Sequence, residues 1–211
     1  MNDYIIIQST FFPPIQQLGW MMQHPHIVIE QHDTYAKQTF RNRMQIAGPN
    51  GIQNLSVPIE KPFGSQSKMK DIRVKYNDDW QKQIFRSIRT AYHNSAFYEY
   101  YIDDFAPFFE QRFDYLIDLN TAILRKVLEI LELDVDIRFS EAYTDHGKGD
   151  FRDIAHPKPQ YRKADPYFVS AHYYQLFAEK YGFMPNLSII DLLFNEGPQS
   201  YFVLKDSCVE P

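Results

Sequence analysis

Apolar residues recur along this chain in more than one rhythm. Ile5-Ile6-Ile7 is an unbroken run closed by Gln8-Ser9-Thr10 and Pro13-Pro14, which predicts a short buried strand. Ile15, Leu18, Met21 and Met22 then recur at helical spacing until Pro25 stops the pattern. Ile27-Val28-Ile29 reads as a second strand. Strand, proline loop, helix and strand in this compass predict a βαβ unit, whose crossover makes the two strands parallel. Ligands of such sheets sit outside the carboxyl ends of the strands. That rule puts Gln8 to Pro14 and Glu30 to Tyr35 at the rim of one crevice.

Beyond this unit the rhythm alternates. Thr39 to Ile46 and Gln53 to Ile59 flank the Gly48-Pro49-Asn50-Gly51 turn, so residues 39–59 are expected to form a β-hairpin. Pro62 to Lys70 reads as a polar loop. Ile84, Ile88, Ala91 and Tyr92 mark one face of a helix from Trp80 to Ala96. A second helix is expected from Pro107 to about Leu133, striped by Phe109, Phe113, Leu116, Ile123 and Val127, with Asn120 as the polar residue inside that stripe. Ile137 to Phe139 reads as a further strand. Residues 144–166 hold three prolines, two glycines and nine charges, and are expected to be a long loop. A short helix from Tyr173 to Tyr181 follows. Ser188 with Asp191 then reads as a capping box for a helix that Gly197-Pro198 ends, the alternative being that Asp191 presents its carboxylate inward.

Composition narrows the function classes. The 211 residues suit one sizeable domain. With 22 Lys+Arg against 27 Asp+Glu the net charge is −5, so no global field favours nucleic acid, and no nucleic-acid partner is expected. The single cysteine, Cys208, rules out a disulfide within the chain and suits a reducing compartment. No basic leader and no stretch of about 18 apolar residues is present, so a cytoplasmic protein with no membrane span is expected. Glycine is scarce, at 8 residues, and aromatics reach 16%. No Walker loop, Gly-x-Gly-x-x-Gly turn or Gly-x-Ser-x-Gly elbow occurs, so side chains would have to hold any phosphate.

Those side chains are concentrated in two places. Arg41 and Arg43, two apart on an expected strand, would share a face, with Lys37 just upstream. This set suits a phosphate or carboxylate. The same pattern also occurs on a solvated strand face whose cations pair with carboxylates. Asp33 and Tyr35 follow the second strand, where Asp33 could accept from a sugar hydroxyl or hold Arg41, and Gln8 ends the first. Arg152, His156 and Lys158 lie in the long loop, either simply solvated or acting as a lid over a bound anion. Asp33 and His156 are the acid/base candidates; no nucleophile stands out. His24, His26 and His32 match no standard metal spacing, and no metal or cofactor is expected.

The chain resembles the WbqC-like family of bacterial proteins. The resemblance runs through Ile7-Gln8-Ser9-Thr10-Phe11-Phe12-Pro13-Pro14, Leu18-Gly19-Trp20, Asp33-Thr34-Tyr35-Ala36-Lys37 and Phe40-Arg41-Asn42-Arg43. It resumes at Leu55-Ser56-Val57-Pro58, Trp80, Ala91-Tyr92 and Phe97-Tyr98-Glu99-Tyr100-Tyr101, and closes with Pro185 to Asn195. Three places depart from the family's pattern. Gln8-Ser9 stands where members open with Gln-Pro, and Ile84 stands near a customary His. Asp150 to Lys158 replaces a Tyr-x-Ser-Gly segment. The loop after the first strand also shares a layout with His-x-Gly-His nucleotidyltransferases, but Gln17 and Trp20 occupy the histidine places.

The expectation is therefore an α/β fold: a small, mainly parallel sheet opened by a βαβ unit, with a hairpin extension and a helical half packed over it. One domain would span 1–211, with an α/β portion (1–62), a helical portion (70–135) and a closing portion (136–211). The resemblance implies surface-polysaccharide (O-antigen type) synthesis, and a transferase using an activated sugar or an acyl or aminoacyl donor. Gln8, Tyr35, Lys37, Arg41, Arg43, Arg152 and Lys158 would bind that anionic donor. The alternative is a non-enzymatic binding or scaffold protein of the same pathway. In that case an aromatic surface such as Phe97-Tyr98-Tyr100-Tyr101 would meet a partner or a second copy.

Overall fold

Strand β1 (Ile5–Gln8), helix α1 (Ile15–Gln23) and strand β2 (His26–Glu30) form the expected βαβ unit. The computed structural model describes residues 4–60, 66–76, 78–147 and 149–210. The two strands run parallel in a register that sets Ile5 beside Ile27 and Gln8 beside Glu30. Helix α1 is covered along most of its length: Gln16 and Gln17 are buried together with Ile15, Leu18, Trp20 and Met21.

The hairpin is shorter than expected. Strands β3 (Arg43–Gly48) and β4 (Gly51–Ser56) pair antiparallel across Pro49 and Asn50, and Gly51 takes a φ of 93° that favours glycine. Residues 39–41 leave the ladder, while Asn42 O still accepts from Val57 N. Thr39 Oγ1 donates to Ala36 O and accepts from the Arg41 N–H, and this local turn carries Arg41 inward.

Helix α2 (Trp80–Tyr92) buries Trp80, Ile84, Ile88, Ala91 and Tyr92, as its apolar spacing predicts. Helix α3 (Tyr98–Phe105) was not anticipated from the pattern. The long helix expected from Pro107 is instead two, α4 (Pro107–Glu110) and α5 (Leu116–Ile130). The interruption has a cause. Backbone groups of the intervening residues bond to the segment at 72–76: Tyr76 Oη accepts from Phe113 N, Val74 N donates to Asp114 O, and Leu116 N donates to Ile72 O. Pairing with a neighbouring chain segment displaces the helical bonds those groups would otherwise make.

Strand β5 (Asp136–Phe139) joins β2 in parallel, giving the sheet order β1-β2-β5. The long loop is not detached from it. Ile6 N donates to Gly149 O and Phe151 N donates to Ile6 O, so residues 149–151 extend the sheet beyond β1. The helix expected at 173–181 is confined to α6 (Ala178–Tyr181), and α7 (Ile189–Glu196) and α8 (Ser200–Ser207) close the chain. One contiguous cluster of buried apolar side chains runs from Ile5 to Leu204. The loop expected at 62–70 lies partly outside the described residues. No helix among the described residues is long and apolar enough to cross a membrane.

Ser188 and Asp191 do not form the expected capping box. Ser188 Oγ donates to Phe12 O, and Ser188 makes no side-chain cap bond. The Asp191 carboxylate turns inward, where it accepts from Tyr92 Oη and Tyr173 Oη, both at 2.6 Å, and from Gln175 Nε2. Tyr92 Oη in turn accepts from Ala47 N. One fully buried carboxylate thus ties α7 to α2, to the hairpin and to the 173–175 segment.

Candidate functional site

The carboxyl ends of the three parallel strands deliver Gln8, Glu30 and Ser140 to one edge of the sheet. Glu30 is 1% exposed. Its Oε1 accepts from Ser140 Oγ (2.7 Å) and His32 N (2.7 Å), and its Oε2 from Thr144 N (3.0 Å). Burial would raise its pKa, but these hydrogen bonds and the Arg152 charge together hold it below the ordinary carboxylate value.

Arg152 comes up beneath this edge from the long loop. Its side chain is 1% exposed, and its Nη1 stands 3.9 Å from Glu30 Oε2. The fork is taken by Asp150, with Nε donating to Oδ1 at 3.0 Å and Nη2 to Oδ2 at 2.7 Å. Nη2 also donates to Thr144 O. Arg152 is therefore a buried anchor that holds the loop against the sheet. Gln8 has a similar position: it is buried, and Nε2 donates to Ala155 O at 3.3 Å.

Arg41 is the second buried cation. Its Nη2 donates to Asp33 Oδ2 at 2.5 Å. Burial lowers the Arg41 pKa, opposed by the charges of Asp33, Asp153 and Tyr35. Asn120, from the middle of α5, donates through Nδ2 to Arg41 O (2.8 Å) and Ser9 Oγ (3.0 Å), which fixes the backbone on which Arg41 is mounted. The polar residue in that apolar stripe is explained by this bond. Tyr35 is half-buried; burial pushes its phenol up to about 12 while Arg41 and Arg43 pull it the other way.

Arg43 opens β3 and donates through Nε to Ser56 Oγ. Because Arg41 lies before the strand, the two arginines are not alternate residues of one strand face, contrary to the expectation from their spacing. Lys37 is exposed beside Gln38, whose Oε1 accepts from Lys158 Nζ. The loop thus crosses from the sheet edge to the residues before the hairpin, and Gln45 Nε2 donates to Pro157 O beneath it.

His156 sits within this crossing. Its Nδ1 accepts from the Lys158 N–H at 3.0 Å, which leaves the proton of the neutral ring on Nε2. Burial lowers its pKa, and the charges of Lys158, Arg162 and Arg41 lower it further. Arg162 Nε donates to His156 O at 2.9 Å, whereas the charge of Arg41 is already met by Asp33. Among the described residues no group of three or more His, Cys, Asp and Glu side chains is placed to hold a metal ion.

An open groove of about 730 Å³ runs along the outer face of the sheet, from His26 and Asp136 past Val28 to Ser140, Tyr143 and Thr144. It ends where Thr144 N meets Glu30. Glu30 and Asp150 are carboxylates of this edge that no local pattern in the sequence singles out. A Glu closing the apolar run Ile27-Val28-Ile29 is the nearest to a signal for the first. Nothing local marks Asp150.

The model of the WbqC-like protein family matches residues 8–160. An uncharacterized protein of Mycobacterium tuberculosis is 23% identical over 229 residues, covering 95% of this chain and 96% of that protein. No solved structure matches the chain.

Proposed function

Since the chain belongs to the WbqC-like protein family, we propose that it is a transferase of surface-polysaccharide assembly whose anionic donor binds at the carboxyl ends of the parallel strands. The observation that carries this reading is the way the long loop lies across the residues before the hairpin: Lys158 Nζ donates to Gln38 Oε1 and Arg162 Nε to His156 O, which brings both cations to the segment that holds Lys37 and Arg41. The donor is an activated sugar or an acyl or aminoacyl compound, held through its phosphate or carboxylate by Lys37, Arg43 and Lys158. Arg41, already paired with Asp33, contributes field more than a direct contact. Tyr35 and Asp33 orient hydroxyls at the mouth of the site. Gln8 and Arg152 keep the loop closed over it.

Chemistry follows from the charge distribution. Partly buried cations such as Arg43 and Lys158 stabilise negative charge as it builds on a leaving group. His156, whose neutral ring carries its proton on Nε2, is the group that donates a hydrogen bond to that leaving oxygen. The groove beside the sheet, about 730 Å³ and bordered by Asp136, Glu141 and Asp145, offers acceptors to the hydroxyls of a sugar acceptor.

The test is equilibrium binding of a nucleotide sugar, an acyl thioester of coenzyme A and inorganic pyrophosphate to the wild type and to the Lys37→Ala/Lys158→Ala double variant. Removing two charge-assisted contacts is expected to weaken the preferred ligand about tenfold or more. Equal affinity in the double variant, or no binding of any of the three, rejects the anion site.

A further inference from the structure

Away from this edge, α3, the end of α5 and the start of α8 enclose a second groove of about 710 Å³. Its walls are aromatic: Tyr100 is 73% exposed, Phe202 55% and Tyr201 39%. Tyr100 meets Tyr101 edge to face at 4.7 Å, and Tyr201 meets Phe202 in the same way at 5.5 Å. Large exposed rings gathered in one groove mark a binding surface.

Every charged residue lining the groove is acidic: Asp104, Glu129 and Glu132. Lys126 lies 3.8 Å from Asp104 and 2.9 Å from Glu129, so one cation serves both. Glu132 has no ion-pair partner among the described residues. The placement of these carboxylates also runs against local preference. Glu129 lies in the last turn of α5, which carries no basic residue, at the end of the helix where the macrodipole disfavours negative charge. Glu132 adopts a φ of 54°, with Leu133 N donating to Leu128 O and Glu132 N to Glu129 O. That is a Schellman helix end with Glu in the left-handed place usually held by glycine.

We infer that this groove docks a basic amphipathic segment of a partner protein, whose Lys or Arg stems lie on Tyr100, Tyr201 and Phe202 while their charged heads meet Glu132, Glu129 and Asp104. The occupant is fixed by charge complementarity. Rings favour cations over their faces, and the surrounding carboxylates exclude an anionic or purely apolar partner. Such a partner relieves the accumulation of negative charge that the fold itself leaves uncompensated. This surface is separate from the proposed anion site and does not depend on it.

The experiment uses the full chain and a fluorescein-labelled helical peptide of alternating Leu and Lys pairs, with a control in which every Lys is Gln. Glu132→Gln and Tyr100→Ala, both on exposed side chains, are each expected to weaken the Lys peptide about tenfold, as loss of an anchor does. Asp79→Asn, which removes an exposed carboxylate outside the groove, leaves affinity unchanged. Glu132→Gly separates function from stability: it relieves the left-handed residue and raises Tm by about 2–4 °C while weakening the peptide as Glu132→Gln does. Equal binding of the Lys and Gln peptides, unchanged affinity in the groove variants, or no binding at millimolar peptide overturns the inference. So does a dimer of this chain that the same substitutions dissociate, which would assign the groove to self-association.

Discussion

Arg41 and Asp33 meet at 2.5 Å, but they are unequally sheltered: the Arg41 side chain is 7% exposed and that of Asp33 23%. The pair joins the segment after β2 to the turn that precedes β3. Its asymmetry decides which half is harder to lose.

Removing the carboxylate strands a buried guanidinium, whereas removing the guanidinium strands a carboxylate that water can still reach. Asp33→Ala is therefore expected to cost about 2–4 kcal/mol, and Arg41→Met, which refills the space, about 1–2 kcal/mol. Urea unfolding midpoints of the two variants check the order. The reverse order would mean that water or a neighbouring acid such as Asp153 already serves Arg41.

The buried carboxylate of Asp191 gives a pH-dependent prediction. Burial raises its pKa above the ordinary 3.8, only partly offset by the hydrogen bonds from Tyr173, Tyr92 and Gln175. A carboxyl group whose folded pKa is raised contributes stability that is complete below its unfolded pKa and is lost as pH rises through the folded one. Asp191→Asn removes that loss. The variant should be less stable than wild type near pH 4, because one Tyr hydroxyl meets an amide N–H, and should gain on it as pH rises to about 7. Urea midpoints across this range test it; a constant difference would show that Asp191 does not titrate abnormally. Asp191→Leu leaves two buried phenols without an acceptor and should cost about 2–4 kcal/mol at any pH.

Much of this was legible in the residues, and the rest failed for identifiable reasons. The runs at 5–7 and 27–29 and the proline-bounded helix between them gave the parallel pair, because period and punctuation agree there. The apolar stripe from Phe109 to Val127 reads as one helix, since periodicity cannot see that residues 72–76 capture the backbone of 113–116. Ser-x-x-Asp is a local signal that favours a cap over an inward carboxylate for Asp191, while its partners, Tyr92 and Tyr173, are 99 and 18 residues away. At the sheet edge, the candidates on both sides of the chain were visible as charges. That Arg152 would be occupied by Asp150 was not, because two residues of separation in a loop say nothing of a fork-shaped bond.

Gly197 ends α7 with a φ of 54°, and a Cβ placed there would lie 2.4 Å from Cδ1 of Phe97. Gly197→Ala therefore meets two penalties, a left-handed backbone and a ring that must move, together about 2–4 kcal/mol. A double-mutant cycle separates them. In the Phe97→Ala background the clash is gone and only the backbone part, about 1–2 kcal/mol, should remain. A full-sized penalty in that background would place the whole effect in the backbone.

His156 offers the most direct test of whether the sheet edge receives an anion. Without ligand its pKa is lowered, first by burial and then by Lys158, Arg162 and Arg41, so the ring is neutral above the ordinary 6.5. An anion bound among those cations cancels part of their field and favours the protonated ring. Binding then takes up a proton, and affinity must rise as pH falls below about 6.5, by at most tenfold per pH unit for a single group. Sulfate is the suitable probe because it does not titrate in this range. At constant ionic strength its affinity should climb on acidification in the wild type and stay level in His156→Gln. The same slope in both proteins would place the proton elsewhere, and a flat profile in both would remove His156 from contact with the anion.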